Sequence, residues 1–186
     1  MVSQLKVNEI IKQSGSSVTI GEAGDTITFP SSGTASGIFT TLPAFSARIG
    51  TEMSLSQNTY TTITADTEIF DSDSCYDTST YTFTPNVAGK YYFFANIRMA
   101  DNMAGTYAYV SFYKNGATDV FELKHYVASH GSSQNNTELT LTPCRIIDMN
   151  GTTDNVACRV QVSSTGVEVK AGSAQTNLGA FRLIGA

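Results

Sequence analysis

The 186-residue chain carries two histidines, three cysteines and sixteen acidic side chains, the groups with which catalysis or metal binding would be built. His125 and His130 stand five positions apart. That is not His-Glu-x-x-His or a comparable ligand spacing, so both read as surface or hydrogen-bonded side chains. No Gly-x-Ser-x-Gly elbow and no phosphate-binding P-loop occurs. Glu68, Asp71, Asp73 and Asp77 form an acidic stretch offering the hard oxygens that Ca²⁺ takes. The spacing is not that of an EF-hand, and the plainer reading is a solvated, turn-rich loop. Ca²⁺ is the one candidate metal, and no other cofactor is expected. Cys75, Cys144 and Cys158 lack Cys-x-x-Cys spacing, which argues against structural zinc. An odd count with no visible secretory leader reads as free or buried thiols, with a Cys144–Cys158 bridge as the alternative if the two lie on neighbouring strands. The sequons at Asn135 and Asn150 then mark loops only. Glycosidase carboxylate pairs are defined by separation in space, and nothing selects one. No catalytic residue is expected, and the chain does not read as an enzyme.

The elements that would position these groups are strands. Thr, Val, Ile, Tyr and Phe dominate in short runs cut by Gly, Asn, Asp and Ser, without a long window of helical period. Leu139 and Leu141 alternate with polar neighbours, as do Val160 and Val162; each pattern is a half-buried strand. Asn115-Gly116 follows the run Tyr107 to Lys114 and is the strongest short hairpin signal, because both residues tolerate positive φ. Such a string of short strands and turns describes an all-β sandwich, jelly roll or barrel.

Composition narrows the function. The net charge is −5, with 41% hydrophobic and 15% charged residues, against roughly 25% charged in an average soluble domain. Ser and Thr take the place of the missing charge. Aromatics at 10% exclude an extended disordered tail, and a net-negative chain without Lys/Arg clusters is a poor binder of nucleic acid. No apolar run is long enough to cross a membrane, and no apolar leader opens the sequence. Residues 1–42 hold short strands and many glycines but little aromatic mass, too little for a core of their own. They read as a β-rich stem, ending in the linker-like stretch Ser31 to Gly37, and the globular domain is expected over 43–186.

Two strands are apolar on both faces. In Lys90 to Ile97 the residues Tyr91, Phe93 and Ala95 face one way, and Tyr92, Phe94 and Asn96 the other. In Tyr107 to Tyr113 the side with Tyr107, Tyr109 and Tyr113 opposes the side with Ala108, Val110 and Phe112. One face of an antiparallel sandwich is normally wet. Tyr combines apolar area with a hydroxyl that tolerates a wet rim. Two such strands point to self-association, or to cover by a loop or by the N-terminal segment.

Phe83-Thr-Pro-Asn-Val-Ala-Gly89-Lys-Tyr91-Tyr-Phe93 resembles the signature of the C1q/tumour-necrosis-factor superfamily, a Phe, a loop, then Gly-x-Tyr-x-Phe. Further landmarks follow in order: Ala44 to Ala47, Ile69 to Asp71, Tyr76 to Phe83, Val110 to Gly116, Asp154-Asn155-Val156 without the usual preceding Gly, and Gly179-Ala180-Phe181-Arg182-Leu183 with an extra Ala. The resemblance implies a ten-stranded antiparallel jelly roll assembled as a homotrimer. It implies core roles for Phe45, Phe83, Gly89, Tyr91, Phe93 and Phe181, and trimer-interface roles for Tyr92, Phe94, Tyr107 and Tyr109. Residues 7–33 resemble the short β-rich leaders of tailed (marine) bacteriophage virion proteins. No Gly-X-Y repeat marks a collagen stalk. The resulting expectation is a phage virion structural protein assembled in the host cytoplasm, a trimeric knob that decorates the capsid or tips a fibre or appendage. Its partners would be its own copies, other virion proteins through residues 1–42, and host surface polysaccharide touched by loops at His130 to Asn136 and Asp101 to Gly105. Neither nucleic acid nor membrane insertion is expected. The alternative is a secreted or cellular C1q-like ligand or lectin module that binds a receptor or sugar.

Overall fold

The computed structural model describes residues 42–100, 107–126 and 138–184. The proposed stem and both candidate contact loops, including His130, lie outside the described residues. Within them the chain is all strand and turn, and no helix is long and apolar enough to cross a membrane.

Two antiparallel sheets pack face to face. The longest strand, β7 (Gly89–Ala100), organises the first. Along one flank run β14 (Asn177–Arg182) and β13 (Val167–Val169); along the other run β11 (Cys144–Met149) and β10 (Leu139–Leu141). β1 (Ala44–Arg48) pairs with β14 and with β4 (Thr67–Asp71), while β2 (Met53–Leu55) closes the other end on β13. The second sheet has the order β5 (Tyr76–Asp77), β6 (Thr82–Phe83), β12 (Val156–Val162), β8 (Tyr107–Lys114), β9 (Thr118–Tyr126), with β3 (Thr61–Thr62) also on β12. The hairpin foreseen at Asn115-Gly116 joins β8 to β9, with φ of 54° and 62° and the Ala117 amide donating to the Lys114 carbonyl at 3.2 Å.

Alternation along β7 holds as far as Met99: Tyr91, Phe93, Ala95, Ile97 and Met99 are buried between the sheets, while Tyr92, Phe94 and Asn96 are half-exposed. The inward rings form one chain of contacts. Phe45 stacks on Tyr76 at 4.4 Å and on Phe83 at 4.7 Å; Phe83 meets Tyr91 and Phe93 edge-on, and Phe93 reaches Phe112 at 5.8 Å. Buried hydroxyls need partners. Tyr76 donates to the Ala65 carbonyl at 2.9 Å and Tyr91 to the Val87 carbonyl at 2.7 Å. Gly89 opens β7 at φ +149°, where a Cβ would meet the Arg182 guanidinium at 3.0 Å, so a side chain is disfavoured twice over.

One core assignment is corrected. Phe181 is not in the core: it is 43% exposed, and Ala180, at 1%, holds the inward position. The cause is register: Gly179 and Phe181 pair with Phe94 and Tyr92, the outward residues of β7, while Ala180 pairs with the inward Phe93, and residues two apart on a strand share a face.

Candidate functional site

The outer face of the first sheet is where the protomer leaves apolar surface uncovered. Two rows cross it. Cross-strand register aligns Ala44, Phe181, Tyr92 and Ile146 in one, and Phe70, Ser46, Gly179, Phe94 and Cys144 in the next. Phe70 and Ile146 are each 51% exposed. Tyr92 lies 5.4 Å from Phe181 and 6.5 Å from Phe94, ring to ring. Gly179 makes room for this layer: a Cβ there would sit 2.6 Å from the Phe94 ring and 2.6 Å from the Phe45 carbonyl oxygen. Only a bare backbone lets Phe94 lie across β14. Further along the same face, Asn96 and Asn177 pair with one another and the surface turns polar. A contiguous apolar layer with a polar continuation is the anatomy of a protein contact surface.

Of the four residues expected at that contact, the structure brings two together. Tyr92 and Phe94 lie on the apolar face. Tyr107 and Tyr109 belong to β8 in the second sheet and point away from it, on the outside opposite the apolar face, so the four do not form one surface. Tyr109 is only 9% exposed; it stacks on Tyr107 at 4.4 Å and lies beneath Lys124. Alternation within β8 was legible, but the sheet that β8 joins was not. Conversely, Phe70, Ile146 and Phe181 belong to the apolar layer. The adjacent apolar pair Ile146-Ile147 was the available signal, since one member of such a pair must face outward from a strand; Ile69 and Phe70, on β4, are both exposed.

Of the acidic candidates, Asp71 and Asp77 are engaged in local structure, while Asp73 Oδ2 is buried without a hydrogen-bond partner. Asp71 accepts the amides of Asp73 and Tyr76, at 3.3 and 2.7 Å. Asp77 accepts the Ser79 amide and hydroxyl, at 2.7 and 2.6 Å, bonds that hold its carboxyl below the usual range. Such turn-capping is ordinary work for Asp in a turn-rich loop. Among the described residues no three acidic, histidine or cysteine side chains gather around a common point. The bridge considered between Cys144 and Cys158 does not form: Cys144 lies exposed on β11 and Cys158 buried on β12, in different sheets, and Cys75, Cys144 and Cys158 are all free. Burial pushes the Cys158 thiol up to about 12, which makes it inert. His125 is exposed near the end of the edge strand β9.

A sandwich in this strand order, with Phe83, Gly89, Tyr91 and Phe93 disposed as described, matches the model of the C1q domain over residues 44–143. The chain belongs to the C1q domain family. No curated protein matches it in sequence. Among solved structures, murine APRIL superimposes with a TM-score of 0.57 at 9% identity, covering 77% of this chain and 100% of that one. Eiger TNF from S. frugiperda gives 0.54 at 10% identity over 78% and 94% of the two chains. The globular domain of zebrafish complement 1qA gives 0.52 at 16% identity over 76% and 96%. These neighbours share the C1q/TNF jelly roll and little sequence. Phe181, turned outward beside Tyr92, enlarges the apolar face of this C1q domain.

Proposed function

We propose that this C1q domain is the knob of a homotrimeric phage virion protein that works by binding, not by chemistry. The observation that carries the self-association is the layer of Tyr92, Phe94, Phe181, Ile146 and Phe70. Monomeric proteins seldom leave so many large apolar side chains contiguous and exposed, and three copies meeting through this face would hide them. The C1q fold supports closed threefold symmetry as the way they meet. The virion role is supported by the likeness of residues 7–33 to leaders of tailed-phage structural proteins; residues 1–42 would then join the knob to other virion proteins during assembly in the host cytoplasm. A trimer offers three equal contact sites, so weak contacts to a host surface polysaccharide gain strength through effective concentration. Capsid decoration and a fibre or appendage tip are both served by this arrangement.

Two measurements test the reading. Light scattering on the full chain is expected to give the mass of three chains, and cryo-EM of virions from the source host is expected to contain the knob. A monomer, or a chain found soluble outside the particle, would overturn the corresponding half; the latter outcome would favour a secreted or cellular ligand module.

A further inference from the structure

The outside of the second sheet, opposite the apolar layer, carries two cations held among tyrosine rings, and they differ in one respect. Arg159 is closed. Its guanidinium lies between the rings of Tyr60 and Tyr113, at 4.0 and 3.8 Å, ion-pairs with Asp119 and donates to the Ser111 hydroxyl at 3.2 Å. Its side chain is 16% exposed. Of the other acids on this face, Glu122 accepts the Tyr60 hydroxyl and Asp77 the Ser79 amide and hydroxyl. Lys124 is open. Its ammonium stands 4.3 Å from the Tyr109 ring, 4.7 Å from Tyr126 and 5.6 Å from Tyr107, and its side chain is exposed. The neighbouring hydroxyls of Tyr109 and Tyr126 hold its pKa above the usual lysine value. Among the described residues no carboxylate pairs with it. Tyr126, directly across from Tyr107 in the register of β8 and β9, is 68% exposed, and the Tyr107 hydroxyl donates to Asn58 Oδ1 at 2.7 Å.

We propose that Tyr107, Tyr109, Lys124 and Tyr126 form a binding site for a sugar that carries a carboxylate. The acids of this face are already engaged, so Lys124 is the charge left to meet an incoming anion. The exposed ring of Tyr126 offers an apolar platform for the C–H face of a sugar, and the tyrosine hydroxyls offer donors and acceptors to its ring hydroxyls. Nucleic acid does not fit, because phosphate chains are held by several cations acting together and the net charge here is −5. A lone ammonium between rings suits a single carboxylate on a polyol. The site deepens the polysaccharide contact proposed above, and it moves that contact from the loops to the sheet.

The test titrates the full chain with trigalacturonate and, separately, with the neutral trisaccharide maltotriose, following binding by calorimetry and assembly by light scattering. Trigalacturonate is expected to bind and maltotriose to bind at least about tenfold more weakly. Lys124→Gln is expected to weaken the trigalacturonate complex about fivefold to tenfold, the worth of one charge-assisted contact, and Tyr126→Ala to weaken it as well. Both positions are exposed, so both variants should keep the wild-type fold and assembly. The proposal is overturned if wild type does not bind trigalacturonate, binds both sugars equally, or is matched by Lys124→Gln. A monomer that still binds, and loses binding in both variants, would instead refute the trimer and leave this site standing.

Discussion

Replacing Phe181 or Phe94 should separate the copies of this C1q domain without unfolding them, and the size of the effect follows from exposure. With roughly 200 Å² for a whole aromatic side chain, the 43% of Phe181 left exposed in the protomer is about 85 Å². At about 25 cal/mol per Å², its burial contributes about 2 kcal/mol per protomer, so about 6 kcal/mol per trimer. That is about four decades in the trimer dissociation constant. Because this constant is a squared concentration, the midpoint of assembly for Phe181→Ala should rise about a hundredfold. Phe181→Asp goes further, since three unpaired carboxylates would be buried together. Phe94→Asp should act alike, because the Phe94 ring lies in the same layer over Gly179. The assay is sedimentation velocity over a concentration series, with near-ultraviolet circular dichroism confirming a native core and Tyr126→Asp as a control on the opposite face. The reasoning fails if the two aspartate variants assemble at the wild-type midpoint, or if Tyr126→Asp dissociates the trimer as they do.

Gly179→Ala should destabilise the protomer by about 1–3 kcal/mol in urea unfolding, as overpacking does, because the new Cβ meets the Phe45 carbonyl and the Phe94 ring at 2.6 Å; an unchanged midpoint would show that β14 shifts freely. Of the three thiols, Cys144 alone is exposed and should be the one that reacts with a disulfide reagent in the native state. Its reaction should be slower in the assembled protein than in Phe181→Asp, and equal rates would argue against cover of this face. Asp154 accepts Lys114 at 2.8 Å, the Asn115 amide group at 2.9 Å and the Asn150 backbone amide at 2.9 Å, and Lys114 is the main reason its carboxyl is held below the usual range. A depressed folded-state pKa stabilises the fold above the unfolded-state value of about 3.9, and that contribution is lost as pH falls through the folded-state value. Asp154→Asn should therefore be less stable than wild type at neutral pH, with the gap closing below about pH 4; a gap that persists in acid would contradict the linkage.

The strand content, the hairpin at Asn115-Gly116 and the division of β7 into two apolar faces were legible in the chain itself. These are local properties: period-two alternation and turn chemistry need no partner to be read. The same alternation placed Tyr107 and Tyr109 on one side of their strand. It was silent on which of two sheets that strand enters, because pairing joins residues far apart in the chain, as β8 with β12. Tertiary structure alone decided that these tyrosines cage Lys124 on one outside while Tyr92, Phe94 and Phe181 leave the other outside apolar. Phe181 shows the division within a single residue. The family resemblance pointed it to a core, and the register beside Gly179, settled by pairing with β1 and β7, turned it to the surface. The sequence determined which side chains share a face of each strand; only the pairing of distant strands determined which of those faces came to lie together.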